Sequence, residues 1–325
     1  MSRLWLRFVT PVIACTLVVM GLDARAQDWP SKPVRLIVPF APGGGADVTA
    51  RLLTPLLSQT LKQQVIVDNR GGGGGVIGAA AVATAPADGY TVLYGTPGQL
   101  VTNQYLMKRL PYDPEKDFAP VTLLFRSPYA LVVNPAVPAR TLRELIALAK
   151  AHPGKIGFAT SGIGSVGHLA AELFRAMAGI EIVHVPYRGT GPAVQDVIAG
   201  QMPMMVDSTD ILTPQIQANK LRALGVTSAE RQKVLPGVPA IAEILPGYEA
   251  TAFNYIAVRA GTPRPIILRL NEAIHAALRE PIVLERFAAA GKRAEATSPE
   301  GLGDILKAER VKWRDIIARA GIQPE

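Results

Sequence analysis

Lys32-Pro33-Val34-Arg35-Leu36-Ile37-Val38-Pro39-Phe40-Ala41-Pro42-Gly43-Gly44-Gly45-Ala46-Asp47 is the stretch that decides the fold. An apolar run, Val34 to Val38, breaks into a proline-glycine turn and then a helical pattern, the strand-turn-helix unit of an α/β protein. About 120 residues on, Thr160-Ser161-Gly162-Ile163-Gly164-Ser165-Val166-Gly167-His168 repeats the arrangement after Ile156 to Ala159. Each turn leaves backbone N–H groups at the positive end of a helix dipole, and glycine lets a ligand approach without a Cβ in the way. Both turns therefore read as anion holders.

Outward from these turns the same alternation continues, with apolar runs at Val65 to Val67, Thr91 to Tyr94, Leu131 to Val133, Ile182 to Val185, Met204 to Val206 and Ala223 to Val226. Between them Leu142, Leu145, Ile146 and Ala149 share one helical face, and Thr141 with Glu144 forms a capping box. From Pro263 the pattern is helical only, with Ile267, Leu270, Ile274 and Leu278 on one stripe and Leu302, Ile305, Leu306, Trp313, Ile316 and Ile317 on another, the last helix opened by Ser298-Pro299. Such a tail must bury its stripes on a domain already folded. The expected division is residues 27–126 with 252–325 in one lobe and 127–251 in the other.

At the start of the chain Arg3 and Arg7 precede an apolar run from Phe8 to Leu22, and Ala24-Arg25-Ala26 supplies a cleavage pattern. Residues 1–26 are expected to be a signal peptide, because the run falls short of the roughly 20 residues that span a bilayer. Val12-Ile13-Ala14-Cys15 also fits a lipoprotein cleavage box, but the apolar run continues beyond Cys15. Cys15 is the only cysteine, so a chain starting near Gln27 holds no disulfide and must rely on core burial. The net charge of +8 falls to +6 once Arg3, Arg7, Arg25 and Asp23 are removed. The remaining Lys and Arg are spread without an aromatic-interleaved cluster, which argues for a general attraction to anions and against nucleic acid. With 30 Gly and 27 Pro the chain stays below low-complexity composition.

Several residues carry two readings. Asp47 is read first as an N-cap bonding the amides of Thr49 or Ala50, and second as a ligand contact. Asp207 either faces a crevice at a strand end or caps a helix from Ile211. Thr96 and Gln99, just after the Thr91 to Tyr94 run, are placed to reach the far end of a ligand. Gly71 to Gly75 lack the Walker lysine and read as a flexible lead-in to a helix that could still line a cleft. His152, His168, His184 and His275 have no metal-site spacing, and no metal or cofactor is expected. His168 reads as a polar residue near the cleft rather than a general base, and no catalytic constellation is visible. The rival reading is an NADP-dependent oxidoreductase, since Gly162-x-Gly164-x-x-Gly167 fits the dinucleotide fingerprint and Arg188 follows the next strand.

Lys32 to Phe40 with the turn ending at Asp47 resembles the tripartite tricarboxylate transporter substrate-receptor family, also called Bug proteins. Asp88-Gly89-Tyr90-Thr91, Tyr112-Asp113-Pro114, Asp117-Phe118, Ser161 to His168, His184-Val185-Pro186-Tyr187-Arg188-Gly189, Arg222-Ala223-Leu224 and Ala260-Gly261-Thr262-Pro263 continue the likeness in order. The resemblance implies an α/β, two-lobed periplasmic binding protein fold of type II, each lobe a mixed sheet flanked by helices, with two hinge crossings and the helical tail on the first lobe. It implies a monomeric periplasmic receptor, not an enzyme, that delivers a small organic carboxylate to permease subunits or to a sensor kinase. The family's carboxylate-holding turns fall on Phe40, Ala41, Gly43, Gly44 and Asp47 and on Thr160, Ser161, Gly162, Gly164 and Ser165, with His168 one helical turn on. The chain departs from the family pattern at Gly71, where proline is usual, and at Phe253, Tyr255 and Arg259. Arg259 is a candidate partner for a second carboxylate.

Overall fold

A computed structural model describes residues 29–187 and 189–324; the expected signal peptide with Cys15, and Arg188, lie outside them. The first part of the chain forms β1 (Val34–Val38), α1 (Gly45–Leu61), β2 (Val65–Asn69), α2 (Val76–Ala83), β3 (Thr91–Gly95), α3 (Asn103–Leu106) and β4 (Phe118–Ser127). Next come β5 (Tyr129–Val133), α4 (Leu142–Ala151), β6 (Ile156–Thr160), α5 (Val166–Ala178), β7 (Ile182–Pro186), α6 (Thr190–Ile198), β8 (Met204–Ser208), α7 (Thr209–Gln217) and β9 (Arg222–Val226). The last part holds β10 (Ala252–Arg259), α8 (Arg264–Leu278), α9 (Pro281–Ala289), β11 (Arg293–Ala294) and α10 (Pro299–Ala320).

Two mixed sheets result, ordered β11-β4-β10-β3-β1-β2 and β7-β6-β8-β5-β9. The same logic builds both. A first strand lies between its two parallel successors, β1 between β2 and β3 and β6 between β7 and β8. An antiparallel strand follows, β10 in one sheet and β5 in the other, and beyond it lies β4 or β9. Because β5 directly follows β4 and β10 follows β9, the chain passes from one sheet to the other twice. The fold is two-lobed α/β, each sheet flanked by helices.

Burial explains which runs became strands. Leu36 of β1 stands opposite Val67 and Val92, and Val34, Leu36, Ile37 and Val38 are all buried, because helices cover both faces of a parallel sheet. In α4 the Thr141 hydroxyl accepts the Glu144 amide at 3.2 Å, while Leu142, Leu145 and Ala149 turn inward. Ser298 caps α10 likewise, accepting the Gly301 amide at 3.0 Å.

Three strands escaped the sequence reading. Within β4, Pro120 and Arg126 interrupt the apolar pattern. Proline is accommodated where β11, which pairs only with Phe125 and Arg126, does not reach. Inside β10 the polar Asn254 is buried and satisfied by donating to the Tyr94 hydroxyl at 2.9 Å. The tail is not purely helical, since β11 joins the edge of the first sheet. Its final helix lies against β4, as expected, and also touches α5, with Leu302, Leu306, Trp313 and Ile317 buried.

Candidate functional site

In the first sheet the carboxyl ends of β1, β2 and β3 open into three loops that lean on one another. The first is the turn from Pro39 to Gly44, where Gly43 takes φ +84°, a left-handed conformation that favours glycine. Gly44 is the N-cap of α1, and the first helical bond runs from the Val48 amide to the Gly44 carbonyl at 2.9 Å. The amides of Gly45, Ala46 and Asp47 precede that bond and lie outside the helical ladder.

Asp47 does not cap Thr49 or Ala50. Its carboxylate reaches backward to accept the Gly43 amide at 2.9 Å, and it also takes Arg51 Nε at 2.9 Å and Asn69 Nδ2 at 2.9 Å. It is 3% exposed, and these donors, Arg51 foremost and then the Gly43 amide, hold its carboxyl down at about 2. Asn69 Nδ2 also donates to the Phe40 carbonyl at 3.2 Å, which ties the end of β2 to the first turn. Neither Arg51 nor Asn69 was singled out from sequence, although Arg51 sits four residues after Asp47, where an ion pair is common.

Gly71 lies with its Cα so close to Ala41 that a Cβ would stand 3.2 Å from the Ala41 nitrogen. The Gly71 to Gly75 segment does lead into α2, as expected, and its geometry is set by Gln99. Gln99 Oε1 accepts the Thr96 amide at 2.7 Å and the Thr96 hydroxyl at 3.0 Å, and Nε2 donates to the Gly74 carbonyl at 3.1 Å. Tyr255 fills the space over Gly95 and donates its hydroxyl to the Thr96 carbonyl at 3.1 Å. Arg259, in contrast, sits at the opposite end of the sheet, paired in register with Phe118 and donating to the Ala85 carbonyl at 2.6 Å. The suggestion of a second carboxylate at Arg259 is therefore withdrawn.

The second sheet presents the carboxyl ends of β6, β7 and β8. Its glycine turn bends at Gly162 (φ +141°) and Gly164 (φ +75°) before α5. Ser165 caps α5 by accepting the His168 amide at 3.2 Å. The Gly164 amide donates to His168 Nδ1 at 3.1 Å, and the Thr160 hydroxyl oxygen lies 2.7 Å from His184 Nε2. The Gly189 amide donates to the Ser161 carbonyl at 3.1 Å, holding the loop after β7 alongside. His168 is buried beneath the turn, with its Nδ1 lone pair occupied, and does not act as a free base there.

Asp207 belongs to β8 and caps no helix; α7 begins at Thr209 with Ser208 as its N-cap. It is 3% exposed, accepts the Ser208 amide at 2.7 Å and the Thr190 hydroxyl at 3.0 Å, and burial pushes its carboxyl up to about 6. Gly167, the third glycine of the dinucleotide fingerprint, serves packing: a Cβ there would stand 2.1 Å from the Val206 carbonyl oxygen. An amide that a pyrophosphate cradle would use, that of Gly164, is already engaged.

The two edges meet. A Cβ at Gly164 would lie 2.9 Å from Leu106 Cδ1 of α3, and one at Gly45 would lie 3.9 Å from Asp210 Oδ2 of α7. Lys292, on the first-lobe segment after α9, pairs with Asp210 at 3.4 Å. All fourteen candidate positions thus lie at or beside the carboxyl ends of the strands, seven on each edge. Crevices in open α/β sheets form at such ends. Among the described residues there is no cluster suited to a metal ion, and no helix is long and apolar enough to cross a membrane.

Residues 49–322 match the model of the tripartite tricarboxylate transporter family receptor. Protein BugT of Bordetella pertussis is 36% identical over 316 residues, spanning 95% of this chain and 96% of BugT. The solved structure of R. palustris Rpa4515 with adipate matches at TM-score 0.84 and 36% identity, covering 91% of this chain and all (100%) of its own. MatC from Rhodopseudomonas palustris with bound malate matches at TM-score 0.80 and 33% identity, over 89% of this chain and 100% of its own.

Proposed function

The chain belongs to the tripartite tricarboxylate transporter receptor family, and from that premise we propose that it captures a small organic carboxylate in the periplasm and delivers it to a membrane permease or a sensor. Membership in a receptor family displaces the oxidoreductase alternative. Adipate and malate, held by two similar proteins, are both dicarboxylic acids, which supports the substrate class. The apolar run and cleavage pattern of residues 1–26 support export.

The observation that carries the reading is that each glycine turn lies against the other lobe, Gly45 beside Asp210 of α7 and Gly164 beside Leu106 of α3. Lobes of 27–126 with 252–325 and of 127–251 would close on the ligand about the crossings near Ser127 and Ala252. In this reading the free amides of the first turns of α1 and α5, with Gly44 and Ser161, hold one carboxylate, while Gly162, whose amide donates to the Thr160 hydroxyl, shapes the second turn. Phe40, Ala41, Thr96 and Asp207 form the wall that chooses the rest of the molecule. Gly43, Asp47, Gln99, Thr160, Gly164, Ser165 and His168 keep the loops in shape. The protein is proposed to act as a monomer.

The test is a thermal-shift and calorimetric screen of the protein from Gln27 onward, refolded from denaturant to strip any co-purified acid. Mono-, di- and tricarboxylates are titrated separately. A true ligand at a hundredfold its Kd adds about 2.7 kcal/mol of stability. If no carboxylate gives saturable stabilisation, the receptor reading fails.

A further inference from the structure

The two glycine turns are braced in the same way. In each, the glycine just before the helix N-cap has a left-handed φ, +84° at Gly43 and +75° at Gly164. In each, that glycine's amide donates to the side chain four residues on, the third residue of the helix: Asp47 Oδ2 at 2.9 Å and His168 Nδ1 at 3.1 Å. The acceptors differ in charge. Asp47 is a carboxylate neutralised by Arg51 at 2.9 Å. His168 lies 4.0 Å from Glu172, itself paired with Arg175 at 2.7 Å.

His168 is also stacked on His184 of β7, ring centroids 3.9 Å apart and planes at 13°, and His184 stacks in turn on Phe158 at 5.0 Å. Two imidazoles in such contact repel if both are charged. Burial keeps them neutral, pushing His168 down to about 3, with the neighbouring His184 and Arg175 adding to the effect, and His184 down to about 4. A neutral ring whose Nδ1 accepts an N–H carries its own proton on Nε2, on the side of Glu172. Glycine-rich turns lose much backbone entropy on ordering, so a turn with two left-handed glycines needs side chains to fix it.

Resting on the carboxylate-receptor reading, we propose that His168 and His184 are positioning residues: a neutral, stacked pair that fixes the second turn through the Gly164 amide and the Thr160 hydroxyl, without touching the ligand. A neutral acceptor suits this place because it braces the turn without adding negative charge beneath an anion site. In the first lobe the same task falls to a carboxylate whose charge Arg51 cancels.

The experiment compares wild type with His168→Leu, which fills the space without an acceptor, and His168→Asn, which offers a neutral oxygen near the position of Nδ1. Affinities for adipate, malate and citrate are measured by calorimetry. The expected result is weakening by about tenfold in His168→Leu, the size of one lost hydrogen bond, and recovery to within about threefold in His168→Asn. Long-range ¹H–¹⁵N spectra of wild type should show His168 with Nδ1 unprotonated. Equal binding by His168→Leu and wild type, or a protonated Nδ1, overturns the proposal. If His168→Leu fails to fold, Thr160→Val replaces it, and binding within twofold of wild type overturns the proposal in the same way. If wild type binds none of the three acids, the receptor reading loses its support. The tautomer, and faster solvent exchange of the Gly164 amide in His168→Leu or Thr160→Val than in wild type and His168→Asn, then decide the positioning role alone, and equal exchange in all of them overturns it.

Discussion

Replacing Lys292 with methionine should both destabilise the protein and loosen the relation between its sheets. Lys292 precedes β11, and Asp210 stands in the first turn of α7, so their 3.4 Å contact bridges the segments on either side of the Ser127-Pro128 crossing. Thr209 is anchored at that crossing, its amide donating to the Pro128 carbonyl at 3.2 Å. Lys292 Nζ also donates to Thr49 of α1 at 3.4 Å and lies 4.9 Å from the Phe125 ring. With an effective dielectric of about 20, two charges at this separation attract by about 5 kcal/mol. Much of that is offset by desolvation, because the side chains are only 10% and 21% exposed. Lys292→Met leaves Asp210 with Ser208, whose hydroxyl it accepts, and near the start of α1, so the net loss should be about 2 kcal/mol. For a chain of this length that is roughly a 3 °C fall in melting temperature. Asp210→Asn alone should cost a similar amount, and the double substitution less than the sum of the two by about 1 kcal/mol. Small-angle scattering of ligand-free Lys292→Met should show a larger radius of gyration, and carboxylate affinity should fall in proportion to the closed fraction lost. Strict additivity in the double-mutant cycle, with unchanged scattering, would refute the idea that this pair couples the lobes.

Two carboxylates make opposite predictions about pH. The folded pKa of Asp207, about 6, lies above its ordinary 3.8, so its contribution to stability is present below pH 3.8 and is lost as pH rises to 6. That loss amounts to about 3 kcal/mol, and thermal melts of Asp207→Asn across pH 4 to 7 should lack it and run higher at pH 7. Asp47, held down at about 2, contributes above pH 3.8 and loses its contribution as pH falls toward 2. Asp47→Ala should cost roughly 1.5 to 3 kcal/mol at neutral pH and weaken every carboxylate alike; a melting curve matching wild type would remove Asp47 from its bracing role.

What was legible in the chain was where the glycine turns of the candidate site fall rather than how they are shaped. Strands β1, β3, β6 and β8 show in the sequence as apolar runs because both faces of a parallel strand are buried, and glycine marks where each chain bends out of its sheet. Strand β10 was hidden because its buried Asn254 is satisfied only by Tyr94, 160 residues earlier, a partner no local pattern announces. The same holds for the bracing of the turns. Arg51 could have been found by its four-residue spacing from Asp47, but Asn69 reaches Asp47 from a neighbouring strand, as His184 reaches Thr160. A glycine turn frees its backbone in every direction, and only side chains brought from other strands remove that freedom. The shape of such a site is therefore a property of the assembled sheet edge, and this is why variation at the residues proposed to brace the turns, Asp47, Gln99, His168 and His184 among them, should change how tightly an acid is held in the proposed receptor.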